Sequence, residues 1–521
     1  MTNPTTPQTQ TNTLFAVDAY EVSHFNQYPE AEELTSYLTF RKAMALMSIS
    51  EKAKYRGWVD MEYPDDRIVW VGIRYIIETY ISKKITQADI TEARDFYATF
   101  NAGGTQYPFP EDLFQEIVDK FDGNMPLKIE ALPEGSVVYP GTPVVQITAK
   151  KKFAPLVTWF EALIVQTWYP STVATLSRRV RDMVEDGFHK SADADAYWKI
   201  PSRLHDFGFR GCTGTEQATI GGMAHLLSFE GTDTVPAAHY AARYLNNGVP
   251  VGNSIPAMAH CTVTPWDTEA EAYENMIDVN GGGAYAIVLD SYDFANAVER
   301  IIPSMKDRII AKGGFLVMRP DSGTPKDMVL LGLRAAAAHF GHDFNKKGYK
   351  VLRGVGVIQG DGMSPRMILE VIEAVIEAGF SIENVAFGMG GGLLQKDLHR
   401  DILSAALKTN YIQFAGGRIK YVMKKPATDP TKTSLPGKLA VAITLDAAGK
   451  TIRQVFPVDE VPQESNELRV IYDTGPTNLL TADTFDEVRA RLDIEWANTP
   501  KKGSAFSPEI LDFQDEVAQS L

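Results

Sequence analysis

The chain has 521 residues, 44% of them hydrophobic and 22% charged, with a formal net charge of -15 from 51 Lys and Arg against 66 Asp and Glu. The length exceeds the usual single-core limit and predicts about three domains, and the composition is that of a folded globular protein. The acidic balance argues against nucleic acid or an anionic membrane as the main partner, yet it leaves room for a local cationic pocket facing a small anion. Two cysteines, Cys212 and Cys261, make neither a disulfide framework nor a CxxC metal site. A reducing, cytoplasmic setting is expected.

Residues 1–12 are polar and lack the basic and apolar parts of a signal peptide, so they read as a disordered tail. No run reaches the roughly eighteen apolar residues of a membrane span. The opening T-L-F-A-V-D-A-Y-E-V-S-H-F-N-Q-Y-P is an aromatic-rich entry segment. Residues 67–82 predict a strand running into an amphipathic helix. Leu127 to Thr148, with β-branched pairs around Pro-Glu-Gly and Pro-Gly, predicts small antiparallel β structure.

From about Leu156 the texture changes. Phe160 to Trp168 predicts an apolar helix ended by Pro170. Seven apolar runs then recur, each closing on a polar or glycine-rich turn and each followed by a plausible helix. They are Leu204–Gly208, Leu226–Thr234, Ile255–Thr262, Ala286–Asp293, Phe315–Pro325, Val355–Gly362 and Val385–Leu393. One helix is clear: Ser364 as N-cap, Pro365 in the first turn, and one face of Met367, Ile368, Val371, Ile372, Val375 and Ile376, closed by Gly379. This rhythm predicts a parallel α/β barrel or doubly wound sheet with polar strand ends on one rim. Beyond Tyr421 the pattern loosens. Lys424, Lys425 and Lys432 cluster near Pro426 and Pro430, a hairpin is predicted around Asp446–Lys450, and Thr484–Glu487 and Ser507–Pro508 open two last helices.

The rim carries the chemistry. In F-L-V-M-R-P-D-S-G-T-P, Arg319 and Asp321 sit two residues apart where a buried strand surfaces. Gly388-Met389-Gly390-Gly391-Gly392 before a helix reads as an anion cradle, although it is neither G-x-G-x-x-G nor a Walker loop. Arg210, Arg319, Arg400 and Lys408 add cations, a set that suits a multiply charged phosphate ester. Asp321 and Asp361 are the expected carboxylates for Mg²⁺ accompanying phosphates. Asp233 lies in Gly231-Thr232-Asp233-Thr234, and His260 lies at the mouth, with Asp290 as the group that orients its ring. No serine elbow, H-E-x-x-H or kinase set is present.

Together these stretches carry a resemblance. V-D-A-Y-E-V-S-H-F-N-Q-Y-P, L-P-E-G, Q-T-W-Y-P-S-T-V-A-T, L-H-D-F-G-F-R-G, F-E-G-T-D-T-V, R-P-D-S-G, V-I-Q-G-D-G, I-E-N-V-A-F-G-M-G-G-G-L-L-Q-K and D-P-T-K occur in that order. From about residue 13 to 495 the chain resembles the nicotinamide phosphoribosyltransferases. The resemblance implies the fold of the type II phosphoribosyltransferases: an irregular parallel α/β barrel plus a β-rich α+β domain built from both chain ends. The implied division is 13–150 and 421–500 for the β-rich domain, 151–420 for the barrel, and 501–521 as a C-terminal extension. The implied reaction joins nicotinamide to phosphoribosyl pyrophosphate, with Mg²⁺ and with ATP as activating co-substrate, in a homodimer with shared sites.

By the same resemblance, Phe207 and the partner subunit's Tyr20 sandwich the pyridine ring, Asp233 accepts from the carboxamide, and Ser254 and Arg319 lie near the amide. Arg41, Arg210, Gly360, Asp361, Gly390, Gly391, Arg400, Lys408, Lys424 and Lys432 surround the phosphoribosyl and pyrophosphate groups, with Asp321 and Asp361 toward the metal. His260, Asp321, Arg319 and Asp290 form the expected catalytic set, with His260 as the residue phosphorylated by ATP. Three features depart from the family's pattern. Ala259 stands where glutamate is usual, Ala43 replaces a basic residue, and one extra residue precedes Arg400. Two other readings compete: a nicotinate phosphoribosyltransferase, and a catalytically silent relative that binds a partner.

Overall fold

The computed structural model describes residues 12–44, 65–429 and 432–520. They form two compact units: one from residues 12–44, 65–172 and 399 onward, the other from Val173 to Leu398. The expected boundaries at 150 and 420 differ from these, for physical reasons. Strand Ala405–Gln413 pairs antiparallel with Glu33–Phe40, and the short helices Leu156–Trp159 and Glu161–Val165 pack on the same sheet, so all three stay with the first unit. Expectations for residues 1–11 lie outside the described residues.

The first unit is built on a six-stranded antiparallel sheet. Its order is Ile419–Tyr421, Ala405–Gln413, Glu33–Phe40, Pro143–Lys150, Leu127–Ala131 and Arg469–Asp473. The predicted hairpin forms as Leu439–Leu445 against Thr451–Pro457. The last helix, Pro508–Gln519, is capped by the Ser507 hydroxyl, which accepts from Ile510 N at 3.2 Å. Ile510 is fully buried in a cluster with Tyr37, Leu435, Leu439 and Val455, so the C-terminal extension is an integral part of this unit.

The second unit is a curled parallel sheet with its helices outside. Its order is Gly231–Thr232, Leu204–Asp206, Val385–Met389, Val355–Gln359, Phe315–Arg319 and Ala284–Val288. Each neighbouring pair is parallel. Six of the seven expected strands form; the run at Ile255–Thr262 does not. Pro256 has no N–H to offer a ladder. The preceding and central part of that segment instead makes two single bridges, Asn253 with Gly231 and Ala257 with Ala286, and these join the two edges of the sheet. The result is an irregular barrel closed by one seam.

Helix Pro365–Glu377 forms as read, with the Ser364 hydroxyl accepting from Met367 N and with Ile368, Val371, Ile372 and Val375 buried. Pro170 does not end a helix. It is the third residue of Trp168–Ser191, in a first turn whose N–H groups need no partner within the helix. Among the described residues no helix is long and apolar enough to cross a membrane.

Candidate active site

At the carboxyl ends of the barrel strands, Phe207 follows Leu204–Asp206 directly, and its ring is half-buried. It lies across the ends of two neighbouring strands because both carry glycine there. A Cβ on Gly360 would come within 2.9 Å of the Phe207 ring, and one on Gly388 would overlap it. Asp206 is fully buried beneath the ring. Its Oδ1 accepts from Gly208 N at 2.7 Å and its carbonyl accepts from Asp233 N at 2.9 Å, which ties the Phe207 turn to the Asp233 turn. Burial pushes the Asp206 carboxyl up to about 6. The Ser254 hydroxyl donates to Asp233 Oδ1.

Below these groups the barrel encloses a cavity of about 190 Å³. Phe207, Asp233, Ser254 and Arg319 stand on its wall. Ala257, Ala284, Ala286, Gly356 and Ala386 leave it open by their small size. His205 also faces the cavity, and burial lowers its pKa, so it is a neutral donor or acceptor at neutral pH rather than a charge.

Arg319 and Asp321 emerge together as read. Asp290 Oδ2 accepts from Asp321 N at 2.8 Å and from the Ser322 hydroxyl at 2.6 Å, so Asp290 shapes that turn. Its expected role on His260 is not borne by a hydrogen bond. His260 Nδ1 pairs with the Ser291 hydroxyl at 3.0 Å, while Nε2 lies 3.4 Å from Asp321 and 3.8 Å from Asp290. Asp290 Oδ2 is taken by the Asp321 turn, and Oδ1, the oxygen nearer His260, lies beyond hydrogen-bond distance of the ring. Asp290 Oδ1 and Arg319 Nε are buried without a hydrogen-bond partner among the described residues. Such atoms can take a partner from water, an ion or a ligand.

The glycine cluster divides its labour. Gly388 admits Phe207, and a Cβ on Gly392 would press on the Met363 carbonyl at 2.5 Å. A Cβ on Gly390 would sit 3.3 Å from the Phe207 carbonyl, whereas one on Gly391 would meet nothing nearer than Gln395 at 4.0 Å, so Gly391 is the one with room to face a ligand. Arg210 and Asp361 are exposed nearby on their strand-end turns.

The first unit holds a second group. Lys408 lies opposite Tyr37 in the antiparallel ladder, and Arg41 follows the end of that strand. Arg41 Nε donates to the Ser404 carbonyl at 3.1 Å. Arg41, Lys408 and Lys432 line one cavity of about 180 Å³. Burial lowers the Lys408 pKa, Glu161 opposes the shift, and the nearby charges of Arg41, Lys424 and Arg400 lower it further. Lys424 and Arg400 therefore act on this pocket electrostatically but do not line it. Tyr20 is 58% exposed, with Arg400 within electrostatic reach.

Among the described residues no group of three His, Cys, Asp or Glu side chains could hold a metal unaided. The carboxylates present, Asp321, Asp361 and the orphaned Asp290 Oδ1, suit a hard cation that takes most of its ligands from phosphate and water. Sequence reasoning missed Asp206 and His205. Both stand in L-H-D-F-G beside Phe207, and the alternation of a short strand would have placed one of them inward.

The chain has relatives along most of its length. Residues 202–460 match the nicotinate phosphoribosyltransferase (NAPRTase) family model, and residues 12–129 match the nicotinamide phosphoribosyltransferase N-terminal domain. The nicotinamide phosphoribosyltransferase of Xanthomonas campestris pv. campestris is 36% identical over 494 residues, covering 92% of this chain and 98% of that protein. Its namesake in Acinetobacter baylyi is 28% identical over 514 residues, covering 92% and 97%. Human nicotinic acid phosphoribosyltransferase superimposes with a TM-score of 0.64 at 16% identity, covering 96% of this chain and 99% of that one. The nicotinate-nucleotide pyrophosphorylase of Pyrococcus furiosus does so at 0.57 and 13%, with the same coverage. These two likenesses carry the fold, a type II phosphoribosyltransferase barrel with an added β-rich unit. With more than a third of its residues identical across nearly the whole Xanthomonas protein, the chain belongs to the nicotinamide phosphoribosyltransferase family.

Proposed function

We propose that this protein transfers the phosphoribosyl group of phosphoribosyl pyrophosphate to nicotinamide, giving nicotinamide mononucleotide and pyrophosphate in NAD salvage. The observation that carries the choice of base is Asp233. Ser254 holds one of its oxygens, and the other is left to accept from a carboxamide N–H₂. A nicotinate carboxylate at that place would meet a like charge, at a cost on the order of several kcal/mol once water is excluded.

The pyridine nitrogen carries no proton, so the reaction needs no general base. Phe207 seats the ring in line with the anomeric carbon, and Arg319 and the barrel-mouth carboxylates face the charge that develops there. The cations around Lys408 receive the phosphate-rich end. The two groups of residues serve one reaction in a homodimer with shared sites, where the partner subunit's Tyr20 completes the ring sandwich. Asp321 and Asp361, together with substrate oxygens, would hold a magnesium ion, which would supply positive charge opposite the departing pyrophosphate. His260, half-exposed and fixed at Nδ1 by Ser291, is the acceptor of a phosphoryl group from ATP. The setting is the cytoplasm, in keeping with two free cysteines.

The test is mononucleotide formation by the purified protein with phosphoribosyl pyrophosphate and Mg²⁺, offering nicotinamide or nicotinate, each with and without ATP. Turnover of nicotinamide, faster with ATP, is expected. Turnover of nicotinate in its place overturns the choice of base, and indifference to ATP removes the role given to His260.

A further inference from the structure

Lys424 and Lys432 lie outside the strands of the sheet, yet a phosphate pocket needs its cations held in place. Ser434 supplies the hold. Its N–H donates to the Lys424 carbonyl at 3.0 Å, and its hydroxyl accepts from Lys424 N at 2.9 Å. One residue, through its backbone N–H and its hydroxyl, thus fastens the two lysine-bearing stretches to each other. Ser434 is 4% exposed, and the next N–H, that of Leu435, donates to the Tyr37 hydroxyl at 2.8 Å.

Ser434 is in turn held by the chain's last helix. Gln514 Nε2 donates to the Ser434 carbonyl at 3.1 Å. Phe513 packs edge-on against Tyr421 at 4.9 Å, and Ile510 is buried against Tyr37 and Leu435. Just before the helix, Phe506 reaches the pocket itself. Its ring occupies the space a Cβ on Gly141 would need, and it forms part of the wall shared with Arg41, Lys408 and Lys432. The segment is anchored on its other side by Val455 N donating to the Ala505 carbonyl at 2.7 Å and Gln454 Nε2 to the Phe506 carbonyl at 3.1 Å.

We propose that the C-terminal segment Ala505–Gln519 is a positioning element of the anion pocket, with Gln514 acting through Ser434 on Lys424 and Lys432 and Phe506 forming the pocket's fixed wall. The ligand class is a pyrophosphate ester, and this part rests on the functional reading above. Gln514 touches no ligand. It sets where the lysines stand, so its loss weakens capture of the phosphate-bearing substrate and leaves the chemistry alone. The apolar anchors Ile510 and Phe513 keep the helix docked when the hydrogen bond is gone.

The experiment is the binding of inorganic pyrophosphate to the full chain by calorimetry, alongside steady-state kinetics, for the parent, Gln514→Met and Phe506→Leu. Gln514→Met keeps size and neutrality but removes the donor. It is expected to weaken pyrophosphate binding and raise the KM for phosphoribosyl pyrophosphate about fivefold, the worth of one net hydrogen bond. The kcat, the nicotinamide KM and the melting temperature are expected to hold. Phe506→Leu is expected to move the same two constants in the same direction. Unchanged pyrophosphate affinity in both variants overturns the positioning role. So does a fall of kcat and melting temperature together with a rise in both KM values, which is the mark of a merely structural contact. Because pyrophosphate binding needs no turnover, the role survives even if the base proves to be nicotinate, whereas a parent that binds no pyrophosphate defeats the reading of the pocket and this role with it.

Discussion

In the barrel unit, Phe207, Asp233, Arg319 and Asp361 each stand at or within two residues of the end of a parallel strand, and backbone ties such as Asp233 N to the Asp206 carbonyl fix their spacing. In the β-rich unit, the cations come from the end of one strand, the middle of another and an irregular stretch, gathered from positions as far apart as 41 and 432. The first is a site of shape and directed hydrogen bonds. The second is a site of accumulated charge, where burial works against the very ionisation that binding needs. Changes in the two should therefore leave different signatures, and experiments can separate or merge them.

The largest effect is expected for Arg319→Ala, with a fall in kcat/KM of roughly a hundred- to a thousandfold and no change in pyrophosphate affinity by calorimetry. If pyrophosphate affinity drops in parallel, the division between the two sites fails. Asp233→Asn comes next. The ratio of nicotinate to nicotinamide turnover is expected to rise about tenfold or more, read by competition between the two bases. A ratio equal to the parent's would falsify the charge argument.

Lys408→Met is expected to weaken pyrophosphate binding about tenfold, with most of the difference lost in high salt, whereas the Asp233 effect should be insensitive to salt. The pocket also carries a pH signature. Only protonated Lys408 attracts phosphate, and its pKa is lowered first by burial, so affinity falls as pH rises into the alkaline range, earlier than for an ordinary lysine. Lys408→Arg should carry that loss to higher pH, because guanidinium keeps its proton. An unmoved alkaline limb means another group titrates.

The smallest effect concerns Glu21, buried beside Asp18 and pushed by burial up to about 8 from its usual 4.5. A carboxyl whose folded value lies above its unfolded value stabilises the fold fully below 4.5, and that contribution is lost as pH rises to about 8. Glu21→Gln is expected to raise the melting temperature by about 1–2 °C at pH values near 9 and to change it little near pH 4. Equal shifts at both ends contradict the assignment.

The barrel was largely legible because its chemistry is local. An apolar run, a turn and a glycine sit next to each other in sequence, and six of the seven expected strands formed. What was not legible depends on partners far away in the chain. Whether Gly388 meets a ligand or the Phe207 ring cannot be read from a glycine cluster. Ala405–Gln413 leaves the barrel because Glu33–Phe40 recruits it, and no local pattern encodes that pairing. Pro170 illustrates the limit of a local rule, since a proline that ends one helix is equally welcome in the first turn of the next. The site residues follow the same division. Phe207, Asp233, Ser254 and Arg319 share one cavity wall, while Lys424 and Arg400 reach their pocket only through space.

The seam at Asn253–Ala257 has a consequence of its own. Elsewhere the ring is a ladder, but here it is closed by Thr232 N to Asn253 O, Asn253 N to Glu230 O, Met258 N to Ala286 O and Ala286 N to Pro256 O. Ser254, the partner of Asp233, rides on that stretch. On the proposed reading, the residue that steadies base selection is thus carried on a stretch of wall held by single bridges, where a change of length or sequence need not unpick a strand.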